Sequence, residues 1–444
     1  MRDQLGFDVT GATANGLDHY ETAVHSLRCF IGDPLAAANG AIAAAPGFVM
    51  AHVFKGYLYA LSTEAAAMPI ARECARVAAA LPANERKKAH VAALAQLAGG
   101  HWHRAGSRLA DVTAAYPRDG LALQAGHQID FFTGNAPMLR DRIARALPAW
   151  DEGMPGYHAL LGMHAFGLEE TGAYVEAERT GKRAVAMQPR DGWAQHAVAH
   201  VMEMQCRQED GISWMRADTD AWTEDSFLQI HNWWHLALFH FDLGQADEVL
   251  ALYDGPIAGG RSEIALNMVD ASAILWRLFL TGADCGGRWQ PLADLWEKQP
   301  GQSTYAFNDA HAMMAFVGAG RRAAARRLFD AMGEALGDSA DNAVFTRDVG
   351  LPVAQAIHAF GEGDYAETIR LLRPVRPIAH RFGGSHAQRD AIDLTLIEAA
   401  IRAGNAPLAQ ALASERVHVR PTSPLSRLFQ SRADAAVDEL HTGH

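Results

Sequence analysis

Two short segments of the chain bring together side chains that can handle protons, metals and anions. QHAVAHVME places His196, His200 and Glu203 at i, i+4 and i+7, one stripe of an α-helix. HNWWHLALFHFD places His231 and His235 one helical turn apart, with Asn232 and Trp234 between them. Imidazole changes charge near neutral pH, ligates transition metals when neutral and binds anions when protonated. Four imidazoles and a carboxylate that converge could therefore relay protons, hold a metal, or grip an anionic group. The 21 histidines in 444 residues supply about one H-x-x-x-H pair by chance, whereas two occur on successive helical segments. The zincin motif is excluded, because Ala197 and Asn232 stand where a glutamate would follow the first histidine.

The elements that must position these groups are helices. Strand signals are nearly absent, while apolar residues recur at i, i+3, i+4 and i+7, as in Val53, Tyr57, Leu58 and Leu61 of AHVFKGYLYALS. Short glycine loops separate the periodic segments, and glycine just past a helix end takes the left-handed conformation that closes the last turn. Gly100, Gly134, Gly172, Gly211, Gly244, Gly282, Gly320, Gly363 and Gly404 follow one another at intervals of 33 to 43 residues. Pro46, Pro82 and Pro117, spaced by 36 and 35, end the other helix of each pair. Such periods belong to helix–turn–helix solenoids, with tetratricopeptide arrays nearest at roughly 34 residues. The lengthened later intervals indicate degenerate repeats. The expectation is an all-α superhelical array of about eleven helix pairs enclosing a central cavity. It is read as one domain over 16–430, with an N-terminal segment 1–15 and a C-terminal tail 431–444. GPIAGGRSE (255–263) and GDSADNAVFTRD (337–348) are the candidate bends or dividing lines.

In such arrays the first helix of each pair lines the inner surface. Counting back from the loop glycines puts His90, His127, His164, His200, His235 and His311 at seven to eleven residues before Gly100, Gly134, Gly172, Gly211, Gly244 and Gly320. A buried histidine needs partners for both ring nitrogens, so one per repeat implies either a shared wet cavity or hydrogen-bonded core positions. Nine of the ten tryptophans fall between Trp150 and Trp296, including Trp193, Trp234 and Trp276, and could wall a pocket or plug an irregular core. In FNDAHAMMAF, the polar Asn308, Asp309 and His311 interrupt a segment otherwise suited to burial. His52, Lys55, His158, Glu169, Asp270 and Arg277 are further polar residues in apolar helices.

Composition narrows the function classes. The chain is 49% hydrophobic and 20% charged, which excludes a disordered protein. A net charge of −12 speaks against general nucleic-acid or anionic-membrane binding. Cys29, Cys74, Cys206 and Cys285 lie far apart without zinc or redox spacing. There is neither the apolar core of a signal peptide nor an apolar run near the roughly 18 residues of a membrane span, so a cytoplasmic location is expected. Phosphate-binding glycine loops and the G-x-S-x-G elbow are absent.

HAVAHVMEM with GISWM, HNWWHLALFHFDLG with YDGPI, NMVDASAILWRLFLTG and FNDAHAMMAF together resemble the tetratricopeptide repeat protein 38 family over roughly residues 15 to 430. AAAPGFVMAHVFKGYLYALS also fits it. The resemblance implies a chain-long, all-helical repeat module and assigns no catalytic or binding role to positions here. From the residues themselves, the leading expectation is recognition of a small polar or anionic molecule in a histidine-lined cavity, with acid–base or hydrolytic work if there is turnover. His200 or His235 would accept the proton and Glu203 would orient a ring. His164, His196, His231, Asn232, Trp234, Asp309 and His311 would hold the ligand. No cofactor is fixed by a motif; a transition metal on His196, His200, His231 and His235 is the alternative occupant. The runner-up is an interaction scaffold that binds a peptide or partner protein in its groove. The mixed tail VHVRPTSPLSRLFQSRADAAVDEL would supply a polar cap or a homodimer contact.

Overall fold

A computed structural model describes residues 1–299, 301 and 303–442. Helices and short turns account for almost all of them, and extended backbone pairs at two isolated bridges, Arg2 with Asp8 and Ile31 with Ser226. The chain divides into two compact units. The first holds Met1–Val201, Asp218–Asn232 and Ser339–Asp341; the second holds Met202–Ala217, Trp233–Asp338 and the chain from Asn342 onward. Two of the dividing points fall inside the polar stretch 337–348, whereas 255–263 lies within the second unit.

The helices follow in pairs. They begin with α1 (Ala14–Cys29), α2 (Pro34–Ala44), α3 (Val49–Ala60), α4 (Met68–Ala79), α5 (Glu85–Ala98) and α6 (Trp102–Ala115). Next come α7 (Gly120–Phe132), α8 (Ala136–Ala146), α9 (Tyr157–Glu170), α10 (Tyr174–Met187), α11 (Gly192–Met204) and α12 (Gln208–Ala217). A short α13 (Thr219–Thr223) precedes α14 (Gln229–Asp242), α15 (Ala246–Leu252), α16 (Ala265–Leu280), α17 (Trp289–Glu297), α18 (Ala306–Gly318) and α19 (Arg322–Ala335). A second short helix, α20 (Asp341–Phe345), leads to α21 (Leu351–Gly361), α22 (Tyr365–Val375), α23 (His386–Arg402), α24 (Ala406–Val419) and the terminal α25 (Pro424–Thr442). Setting α13, α20 and α25 aside, the described residues form eleven successive helix–turn–helix pairs. This is an all-α helical-repeat fold of tetratricopeptide-like hairpins. Of the expected tail, α25 continues through residue 430, and Gly443 and His444 lie outside the described residues.

Eight of the nine marker glycines close their helices at positive φ: Gly100, Gly134, Gly172, Gly244, Gly282, Gly320, Gly363 and Gly404. Gly211 does not, and its reading as a turn is corrected: it lies inside α12, and a Cβ there would meet the Phe239 ring at 2.3 Å. The left-handed position belongs to Cys206 at φ 55°. Around it Arg207 N donates to Met202 O at 2.8 Å and Cys206 N to Glu203 O at 3.0 Å, the bonding that closes a helix C-terminus. Glycine at 211 is needed for close packing, not for the turn.

In the first unit, aspartates in front of the first helices join successive repeats. Asp119 caps α7 by accepting from Ala122 N at 3.1 Å, and its other oxygen takes Arg86 Nη1 at 2.7 Å and His90 Nε2 at 2.8 Å. Asp191, ahead of α11, accepts from Ala194 N at 3.0 Å and lies 2.7 Å from His158 Nδ1. Burial pushes Asp119 up, but His90 and Arg86 outweigh it and hold the carboxyl well below the usual range. His90 and His158 are thus tied to capping carboxylates, so these two serve as interhelical fasteners.

Candidate functional site

α11 carries His196 and His200, both fully buried, one turn apart. Its N-terminus is fixed by the Asp191 cap. α14 carries the half-buried His231, and the approach to α14 is tied down by the Ile31–Ser226 bridge, by Phe227 N donating to Phe30 O at 3.0 Å, and by Asn232 Nδ2 donating to Gly192 O at 3.3 Å. The result brings three imidazoles together within the first unit. His196 Nε2 and His231 Nε2 are 3.1 Å apart. The His196 ring lies 4.4 Å from that of His200 and 4.8 Å from that of His231, centre to centre. One nitrogen from each of the three rings falls within 4.8 Å of the others.

Carboxylates and aromatic rings complete the surroundings. Glu169 and Glu170, both buried at the end of α9, gather with His200, and Glu169 Oε2 is 3.6 Å from His200 Nδ1. Phe166 stacks on His196 at 5.3 Å and meets His200 edge-on at 5.2 Å, and Trp193 lies 4.8 Å from His196. His127 stands edge-on to Phe166 and Trp193. Burial, reinforced by the Arg142 guanidinium, brings the His127 pKa down to about 3, so this ring is neutral. His164, also on α9, is half-buried, and its charged neighbours are Glu176 and Arg140.

The second unit repeats the pairing of carboxylate and imidazole. Glu203 Oε2 lies 3.4 Å from His235 Nδ1, and Glu203 Oε1 lies 3.9 Å from Arg420 Nη1. Burial raises the Glu203 carboxyl despite Arg420. Trp234 packs 4.9 Å from the His235 ring, with the Arg277 guanidinium 5.4 Å above its indole. A cavity of about 20 Å³, room for one water, is lined by Glu203, Asp242, Arg277, Asp390, Arg416 and Arg420. Arg416 grips Asp390 through Nη1 and Nη2 at 2.6 and 2.9 Å. On α18, Asp309 takes a hydrogen bond from Ser303 Oγ, and burial lifts its pKa to about 7. His311 Nδ1 donates to Phe307 O at 2.8 Å, and burial lowers its pKa to about 4.

Glu170, Phe166, Asp390, Arg416 and Arg420 were not singled out from the sequence. A signal existed for the carboxylates at the ends of α9 and α11: Glu169 stands three residues before Gly172, and Glu203 three before Cys206. That register becomes visible only once Cys206 replaces Gly211 as the turn.

Helices and site together define an all-α, tetratricopeptide-like repeat protein with a buried histidine–carboxylate cluster. No known family model matches the chain. Among solved structures it is similar to a human IFIT1 dimer with m7Gppp-AAAA, at 12% identity and a TM-score of 0.42, covering 95% of this chain and 94% of that one. A monomeric IFIT1 mutant with Gppp-AAAA gives 13% identity and 0.42, covering 96% and 95%. The TPR domain of P58(IPK) gives 14% and 0.22, covering 88% and 89%.

Proposed function

We propose that this protein binds a small polar or anionic molecule at the cluster of His196, His200 and His231, and that the site is equipped for acid–base or hydrolytic chemistry. The observation that carries the reading is the 3.1 Å approach of His196 Nε2 to His231 Nε2, with His200 beside them and Glu169 behind His200. Glu169 favours the tautomer with the proton on Nδ1, which leaves His200 Nε2 to accept a proton and stabilises the imidazolium that forms. His196 and His231 hold the ligand. Within the second unit, Glu203 stands to His235 as Glu169 does to His200, so His235 is the candidate proton acceptor of that unit. Asn232, beside His231 on α14, and His164 on α9 are supporting ligand candidates within the first unit. Trp234, Asp309 and His311 belong to the second unit and are candidates there with His235. The motifs on α11, α14, α16 and α18 support membership of the tetratricopeptide repeat protein 38 family. Four free, buried cysteines suit a reducing compartment such as the cytoplasm.

The test is a thermal-shift screen of small carboxylates, phosphates and related metabolites on chelator-treated protein. At least one should raise the melting temperature of the parent by several degrees and leave a folded H200A/H231A variant unmoved. An equal response of parent and variant to every hit would remove these residues from the site. The scaffold reading is favoured by one feature. A groove of about 600 Å³ between α4 and α5 is lined largely by alanines, with Arg72, Arg76 and Lys88 at hand for an acidic peptide.

A further inference from the structure

The same three imidazoles have the arrangement of a metal site. We propose that His196, His200 and His231 bind one divalent first-row transition-metal ion of zinc-like chemistry, with Glu169 as a positioning residue. The proposal rests on the site of the preceding reading and not on the identity of its small molecule.

Neutral imidazole is the nitrogen donor that suits zinc, copper, iron and nickel ions, and three such donors come here from two helices held in place by the Asp191 cap and the Asn232–Gly192 bond. Two nitrogens bound tetrahedrally at about 2.0–2.1 Å from one ion stand roughly 3.3 Å apart. His196 Nε2 and His231 Nε2 stand at 3.1 Å. One nitrogen from each of the three rings lies within 4.8 Å of the others, so a modest rotation of the His200 side chain would close the third bond. The carboxylate behind a ligating histidine is the recurrent partner that fixes which nitrogen faces the ion. Glu169 Oε2, 3.6 Å from His200 Nδ1, stands where such a partner would leave Nε2 for the ion.

Charge supports the same conclusion. A dication on three neutral ligands brings two positive charges into a buried site. The buried Glu169 and Glu170 side chains, grouped with His200, place two carboxyl groups beside it to offset that charge. The rings of Phe166 and Trp193 form an apolar shell that lowers the local dielectric and strengthens ion–ligand attraction. Three protein donors leave a fourth position for water or one oxygen of a carboxylate or phosphate, the ligand class of the preceding reading.

The experiment uses the full chain without a polyhistidine tag, stripped with a chelator and titrated with Co²⁺, then Zn²⁺ in competition. One equivalent of Co²⁺ should bind and give the intense visible bands of a tetrahedral nitrogen-rich site. Zn²⁺ should displace it mole for mole. H196A and H231A should each weaken binding at least a hundredfold, and E169Q by ten- to a hundredfold, each variant first shown folded by circular dichroism. H231Q, which keeps much of the side-chain volume, provides the same test if H231A does not fold. Failure of the parent to bind Co²⁺, or unchanged binding in folded H196A and H231Q, would overturn the metal site. A parent that binds no Co²⁺ yet still responds to an anion would sink this inference alone. A metal-loaded protein indifferent to every small molecule would sink the small-molecule reading and leave the metal site standing.

Discussion

His90 and His200 both come from apolar first helices and both face a carboxylate, yet their surroundings differ. His90 shares Asp119 with Arg86, and its Nδ1 meets the Tyr57 hydroxyl at 3.2 Å, so its ring is held on both sides. His200 instead lies near Glu169 and near two further imidazoles. Spacing alone could nominate both and could not separate them, because the separation depends on partners some thirty residues away. Asp309 shows a different consequence of burial. With a folded pKa near 7 against the ordinary 3.8, it binds a proton in the folded state that the unfolded state has released. Its contribution is neutral below about pH 4, turns unfavourable as pH rises, and is fully unfavourable above pH 7. His127 and His311, lowered to about 3 and 4, act in the opposite sense: folding loses stability as pH falls from about 6.5 toward those values. We therefore expect D309N, which keeps an acceptor for Ser303, to gain on the order of a few kcal/mol over the parent at pH 8 and nothing at pH 4. Thermal melts across that range check it; parallel curves for the two proteins would refute the burial argument.

At the scale of elements, helix punctuation was legible almost throughout. Eight glycines and three prolines fall where the turns are, because only a few residue types tolerate those backbone positions. The miss at Gly211 has a physical cause. Cysteine at positive φ carries no compositional signal, and a glycine required for packing looks the same in sequence as one required for a turn. The short helices α13 and α20, and the π-helical turn Tyr253–Ile257 around Gly255, follow no repeat period and were not foreseen. The two roles of glycine make a paired prediction. G211A should destabilise by about 1–3 kcal/mol through overpacking against Phe239, whereas C206G should lie within about 1 kcal/mol of the parent, since it relieves a strained φ while removing a small buried side chain. Denaturant midpoints at constant slope measure both. A harmless G211A together with a strongly destabilising C206G would restore the original placement of the turn.

At the scale of the whole molecule, the repeat architecture and its number of hairpins could be read from the intervals between loops, and so could the pairing of two H-x-x-x-H helices. Glu203 was legible as a partner for a ring and Glu169 as a polar residue in an apolar helix. Which histidine each faces was not, since each comes from the preceding repeat and is matched only by correct register. Among the described residues no helix is long and apolar enough to cross a membrane. Val419, at the end of α24, and Leu428, on α25, are exposed apolar side chains near the C-terminal end, where the tail was expected to cap the array or meet a second copy. Function nevertheless rests on whether His196, His200 and His231 answer to one bound species. The most direct measurement is ¹H–¹⁵N correlation of the histidine ring nitrogens during titration with Zn²⁺ or inorganic phosphate. The account predicts that these three rings shift together along one saturation curve while the carboxylate-tied rings of His90 and His158 stay still. Three rings that ignore both additions, or that respond at unrelated concentrations, would contradict it.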